Sequence, residues 1–244
     1  MIEQQIEIAT QEGAMNTFIC HPERGGPHPL IVLFMDAPGI REELRDMARR
    51  FGTVGYYVML PNLYYRSGVE ELGSFIGEAH AATRQKLMQL MTTINIPMVM
   101  QDLDALLAYA ARDKAASTES MGSVGYCMSG QYAINAAVRH RQRVRAAASI
   151  YGVSLVTDKP DSPHLAMQRT DARLYFGCAE TDHYAPQEMI DKLKAEAERS
   201  GGNAEVEIYP GTAHGFAFPQ RPMYDKPAAE RHWERLFALF GAAL

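Results

Sequence analysis

Apolar and polar positions along the chain alternate between a two-residue and a helical repeat, and the changes mark out the elements. Two short alternating segments, Ile2–Ala9 and Ala14–Cys20, flank Gln11-Glu12-Gly13 and predict an antiparallel hairpin at a sheet edge. After the Pro- and Gly-containing turn Pro22–Pro29 comes the unbroken run Leu30-Ile31-Val32-Leu33-Phe34-Met35. It is too short for a helix and reads as a strand buried on both faces, the kind found in parallel sheets covered by helices. Arg41–Val54 carries Leu44, Met47, Ala48 and Phe51 at helical spacing, with Gly55 as a stop. Tyr56–Leu60 is the next strand, closed by Pro61. The stretch 62–96 has no clean period, contains Gly68, Gly73 and Gly77, and is long enough for a lid or an excursion over a site. A helix starts near Pro97, a favoured first-turn position, and runs to about Arg112 with Val99, Leu103, Leu106 and Ala110 on one face.

In the second half, Met121–Val124 reads as a short strand and Gln131–Ala137 as a helix of small residues. Arg145–Tyr151 and Ala172–Gly177 are buried strands, and Pro186–Arg199 is a helix with Met189, Leu193 and Ala197 inward. Ala204–Tyr209 is a last strand before a closing helix that buries Trp233, Leu236, Phe237 and Phe240. Strands alternate with helices throughout, with no internal repeat, low-complexity tract or linker. That predicts one domain over residues 1–244, a mostly parallel, doubly wound α/β sheet with an N-terminal antiparallel hairpin. Active groups in such a sheet gather at the carboxyl ends of its strands.

Composition narrows the chemistry mainly by exclusion. A net charge of -5 without acidic or basic blocks argues against nucleic acid as a partner. Three cysteines, Cys20, Cys127 and Cys178, form no CxxC pair, so neither a disulfide framework nor a cysteine zinc site is expected. The N-terminus lacks a secretory pattern and no apolar run reaches the length of a membrane span, so a cytoplasmic protein without a membrane partner is expected. Nothing in the composition fixes an oligomeric state.

One of the three thiols stands out by its context. Gly125-Tyr126-Cys127-Met128-Ser129-Gly130 sets Cys127 between small residues at a strand-to-helix junction, the pattern of a nucleophile elbow. The sharp turn forces strained angles on Cys127, and Gly125, Ser129 and Gly130 let strand and helix pass closely. A helix N-terminus there favours thiolate. Two more strand ends carry the partners such a nucleophile needs: Cys178-Ala179-Glu180-Thr181-Asp182-His183 and Gly211-Thr212-Ala213-His214-Gly215-Phe216. Nucleophile, acid and base then follow in the chain order of α/β-hydrolases. His214 would activate the thiol and protonate the leaving group, with Asp182 holding the other ring nitrogen. The Met128 N–H and, from the loop after Met35, the Ala37 N–H are the expected oxyanion donors. Cys178 reads as a small buried hydrophobe and Cys20 as unpartnered. His183 is a possible pocket residue beside Asp182, whereas His21, His28, His80, His140, His164 and His232 read as surface residues. The triad residues lack metal-ligand spacing, so no metal is expected.

These residues resemble the dienelactone hydrolase family, cysteine-dependent α/β-hydrolases whose elbow reads G-x-C-x-G-G. The elbow here supplies Gly125, Cys127, Ser129 and Gly130. Pro61-Asn62-Leu63-Tyr64-Tyr65-Arg66 is similar to the family's P-D-L-Y-x-R segment, and Gly177–Pro186 and Gly211–Phe216 are similar to its acid and histidine loops. The resemblance implies that Cys127, Asp182 and His214 form the triad, and that Asp36, where the family usually has Glu, keeps the thiol quiet until substrate binds. It also implies that Arg84 binds a substrate carboxylate. Three residues depart from the pattern: Ser129 replaces a Gly, Asp36 is one methylene shorter than Glu, and Phe218 stands where lactone-cleaving members place a second carboxylate-binding Arg. The last change predicts a larger, more apolar substrate than dienelactone. The expected activity is cofactor-free hydrolysis of small esters or lactones through a thioester acyl-enzyme. The alternatives are a general carboxylesterase or thioesterase, or a catalytically silent protein of this fold that binds a small ligand or a partner.

Overall fold

The computed structural model describes residues 1–72 and 79–244, the side chains of 79–81 excepted. Its residues fall into two compact units, Met1–Thr118 and Glu119–Leu244.

In the first unit, β1 (Ile2–Thr10) and β2 (Gly13–His21) pair antiparallel from Ile2 opposite His21 to Thr10 opposite Gly13. The central strands are β3 (His28–Phe34) and β4 (Tyr57–Pro61), which run parallel, and β2 joins β4 antiparallel, giving the order β1-β2-β4-β3. Leu30 to Phe34 are completely buried, as an apolar run without alternation requires. Helix α1 (Glu42–Thr53) buries Leu44, Met47, Ala48 and Phe51, the stripe its spacing predicts. The stretch 62–96 contains a 3-10 turn at Tyr65–Ser67 and the helix α2 (Ala79–Met91); the glycines at 73 and 77 lie outside the described residues. Helix α3 (Ile96–Ala110) begins directly after Asn95, whose side chain caps it by accepting the Met98 N–H at 3.0 Å, and Pro97 suits its first turn because proline needs no partner for its nitrogen.

The Pro61–Arg66 segment is tied down at several points. Tyr65 Oη and the Arg66 guanidinium all donate to the buried Asp102 carboxylate at 2.8 Å, so a charge inside α3 has the partners that burial demands. Tyr64 Oη donates to the Ala37 carbonyl at 2.8 Å.

In the second unit, β5 (Ala116–Tyr126, buried from Met121 onward), β6 (Val144–Ile150), β7 (Arg173–Thr181) and β8 (Ala204–Ala213) run parallel in the order β5-β6-β7-β8. Their carboxyl ends therefore share one side. Helices α4 (Gly130–Arg139), α5 (Gln187–Arg199) and α6 (Lys226–Gly241) make the connections and the close; the Asp225 side chain caps α6 by accepting from the Ala228 N–H at 2.9 Å. Three strands are longer than the apolar pattern suggests. β5 starts in the polar stretch Ala116–Ser120, and β7 and β8 continue to Thr181 and Ala213, next to Asp182 and His214. Among the described residues no helix is long and apolar enough to cross a membrane.

Three histidines expected at the surface are buried. His21 stacks on Tyr57 at 5.1 Å and its Nδ1 lies 2.8 Å from the Pro22 carbonyl, and His28 packs beside it. His232 is completely buried on α6, with Nε2 3.1 Å from Tyr126 Oη and Nδ1 on the Ala229 carbonyl. Both ring nitrogens of His232 have a polar partner, so that imidazole goes inside without leaving a polar atom dry.

Candidate active site

The end of β5 shows why the elbow needs its composition. Tyr126 is still extended, Cys127 turns to φ 54°, and one 3-10 turn over Cys127–Ser129 leads into α4. A positive φ on a non-glycine residue is strained, and it holds Cys127 half-exposed at the strand end. The return path is tight: a Cβ on Gly125 would fall 2.1 Å from the Ser129 carbonyl oxygen, and one on Gly130 would fall 2.2 Å from Ser149 Oγ of β6. Ser129, where the family pattern has Gly, fits in a completely buried position. The Val153 N–H donates to the Cys127 carbonyl at 3.2 Å and ties the turn to the loop after β6.

Two loops at the same side bring the acid and the base. Asp182 follows β7 with its side chain fully buried; Oδ1 accepts the Tyr184 N–H at 2.9 Å and Oδ2 lies 2.7 Å from His214 Nδ1. His214 follows β8 and also hydrogen-bonds Cys127. With Nδ1 taken by the carboxylate, Nε2 is the ring nitrogen left for a partner on the Cys127 side. Burial works against the imidazolium, but the hydrogen bonds and charges of Asp182 and Cys127 outweigh it and raise His214 to about 9.

That shift has a thermodynamic consequence. An unfolded histidine titrates near 6.5 and the folded one higher, so the native state holds this proton more tightly. The stabilisation is complete below pH 6.5 and fades as the pH rises through 9. The difference in urea-unfolding free energy between wild type and His214→Gln is expected to shrink across that window by up to about 3 kcal/mol. A difference that stays constant from pH 6.5 to 9.5 would mean that His214 carries no such proton.

Two tyrosine rings that the sequence does not single out pack against the histidine. Tyr151, at the end of β6 with φ 37°, packs edge-on against His214 at 5.0 Å from the buried side, and Tyr184 does so at 4.9 Å from the solvent side. Tyr184 lies two residues after Asp182 and could have been picked out by that spacing. Tyr151 offered no such signal. Phe218 is buried against Tyr126 at 5.3 Å and Tyr151 at 6.2 Å, beneath the histidine loop. His183 is exposed.

The other two thiols sit in different surroundings. Burial, then the charge of Glu3, pushes Cys20 up to about 12 against the pull of Arg49; burial, then Asp182, pushes Cys178 up to about 12 against Lys194. Both are shielded, and Cys127 is the half-exposed one.

In the first unit, the loop after β3 that carries Asp36 and Ala37 is rigidly braced. The Gly39 N–H donates to the Asp36 carbonyl at 2.9 Å, and Tyr64 holds the Ala37 carbonyl. Arg41 grips both Asp36 oxygens, Nη1 to Oδ1 at 2.5 Å and Nη2 to Oδ2 at 3.1 Å, while its Nε donates to Glu43 at 3.0 Å. All three charges are largely removed from water, so the bidentate geometry is what makes the burial tolerable. Arg84 is exposed on α2. Among the described residues no three His, Cys, Asp or Glu side chains are grouped as metal ligands.

The chain matches the dienelactone hydrolase family over residues 15–244. It is 28% identical to a Methylorubrum extorquens protein named "Putative carboxymethylenebutenolidase", over all of this chain and 83% of that one. It is also 28% identical to an Escherichia coli K12 protein of the same name, over 96% of this chain and 84% of that one. The crystal structure of a Klebsiella pneumoniae protein described as a "Putative Dienelactone Hydrolase" superposes with a TM-score of 0.85 at 23% identity, covering 98% of each chain, and so shares the α/β fold. With a family match that spans nearly the whole sequence, the chain belongs to the dienelactone hydrolase family, and the enzyme class that goes with it is that of ester and lactone hydrolases.

Proposed function

We propose that this enzyme hydrolyses small esters or lactones by thioester catalysis on Cys127. The observation that carries the reading is the chain from Asp182 through His214 to Cys127, on three parallel strand ends, with the cysteine in strained positive-φ backbone. The Cys127 thiolate, paired with the His214 imidazolium, attacks the substrate carbonyl, and the carbonyl electrons move to oxygen. The N–H groups of Met128 and Ala37 are the proposed donors to that oxyanion. As the carbon–oxygen bond to the leaving group breaks, His214 Nε2 gives it the proton, leaving an acyl thioester and neutral imidazole. Nε2 then takes a proton from water, the hydroxide adds to the thioester, and collapse expels the thiolate and the acid. Asp182 keeps Nδ1 protonated throughout.

Around this core, Asp36 is the proposed gate on the thiol and would act with Arg41 on its carboxylate. Arg84 is the proposed contact for an acidic group of the substrate. Phe218 would shape selectivity through Tyr151, against which it packs. No cofactor enters the scheme.

The test is covalent trapping. Rapid quenching during turnover of a chromogenic butyrate ester is expected to leave one butyryl group, on Cys127. Limited iodoacetamide should label Cys127 well ahead of Cys20 and Cys178 and remove activity in step. Full turnover after Cys127 is alkylated, or an adduct on another residue, would rule the mechanism out. A silent ligand-binding protein of this fold would give no adduct at all.

A further inference from the structure

Exposed large apolar side chains are few among the described residues: Met1, Val54, Met88, Tyr184 and Met223. One of the five packs on His214 and another on Gly215, the next residue. Tyr184 leaves 61% of its surface in water while its ring packs edge-on against the imidazole at 4.9 Å. Met223 is 40% exposed and lies over Gly215, its Cγ and Sδ 3.5 and 3.6 Å from the point that a Cβ there would occupy. The backbone makes this placement. After His214 the chain folds through successive turns, with the N–H of Phe218 on the Gly215 carbonyl, that of Arg221 on Phe218, that of Tyr224 on Arg221 and that of Asp225 back on Phe216, which returns Met223 to the histidine loop. Tyr184 is fixed from the other side, since its own N–H is bonded to Asp182.

We infer that Tyr184 and Met223 form the leaving-group subsite, and that it takes an apolar, ring-bearing alcohol portion of the substrate. The inference rests on the thioester reading above. In that chemistry His214 Nε2 must reach the departing oxygen to protonate it, so the substituent on that oxygen lies along the exposed rim of the imidazole. Tyr184 packs on that imidazole, and Met223 lies over Gly215, the residue next to it. An aromatic face and a pliable thioether suit a flat apolar group better than a short alkyl chain or a charged one. Neither side chain takes part in bond making; both act by holding the group that leaves.

The chemistry supplies its own control, because the leaving group is present during acylation and gone during deacylation. Phenyl butyrate and trifluoroethyl butyrate share an acyl group, and therefore share the butyryl-enzyme. For Tyr184→Ala, the acylation kcat/KM is expected to fall about 10-fold with the phenyl ester and less than about 2-fold with the trifluoroethyl ester. Hydrolysis of the preformed butyryl-enzyme should proceed at the wild-type rate. Met223→Ala should shift the same ratio by about 3-fold, and Tyr184→Phe, which keeps the ring, should match wild type. Equal losses with both esters, or a matching loss in deacylation, would show that Tyr184 only steadies His214 and would overturn the inference. Unchanged acylation with both would overturn it as well. If wild type never forms a butyryl-enzyme on Cys127, the thioester reading itself fails, an outcome separate from any change in the ester ratio.

Discussion

Replacing Cys127 by alanine is expected to lower ester turnover on the order of ten-thousand-fold, and replacing it by serine should recover little of that loss. Alanine keeps the elbow but removes the nucleophile, leaving only the oxyanion donors and binding to act on water. Serine is nearly isosteric and tolerates the strained position, so it isolates chemistry from shape. An alcohol holds its proton far more tightly than a thiol, and in the proposed ion pair His214, raised to about 9, already carries a proton and is not free to take the alcohol's. Steady-state kcat on a chromogenic butyrate, with urea unfolding to confirm equal stability, is the measurement. A serine variant within about 10-fold of wild type would show that His214 works as a neutral general base, and the ion-pair description would have to be given up.

The same residues show what a sequence makes legible. The elbow was readable because its constraint is local: Gly125, Cys127 and Gly130 lie within six positions, and the clash each glycine avoids is with backbone or β6 close at hand. Asp182 and His214 are readable because each lies in the segment after a predicted strand and the topology of a parallel sheet brings strand ends together. Tyr151 and His232 were not. Their roles depend on partners brought in by tertiary folding, as with Tyr126 and His232, 106 positions apart. A single histidine without its partner in view reads as a surface residue, whereas His21, His28 and His232 are buried. The extensions of β7 and β8 have a related cause. In β7 and β8 pairing continues to Thr181 opposite Ala213, past the point where the apolar pattern stops, because the pattern records burial rather than pairing. The grip of Arg41 on Asp36 falls between the two cases: the residues are five apart, but only the turn through Gly39 aims one at the other.

Gly125→Ala is expected to cost more than about 4 kcal/mol and to yield little folded protein, although it adds a single methyl group and no charge. The methyl would sit 2.1 Å from the Ser129 carbonyl oxygen and 2.5 Å from its carbon, so strand or turn would have to move. The turn cannot give way. Even a Cβ at Gly130 would fall 2.2 Å from Ser149 Oγ and 2.9 Å from Gly152 Cα, so there is no spare room on that side, and the Cys127 carbonyl is tied to Val153. The strand cannot give way either, because Gly125 pairs with Ser149 in the completely buried core of β5 and β6. Gly201→Ala is the control: that residue also has a positive φ, at 77°, but nothing lies within 4 Å of its Cβ position, so only the backbone preference is lost, about 1 kcal/mol. Soluble yield and urea midpoints of the two variants decide the matter. If Gly125→Ala unfolds at a midpoint close to that of Gly201→Ala, the turn is softer than these contacts require, and the strain that holds Cys127 at φ 54° is not enforced by close packing of strand against turn.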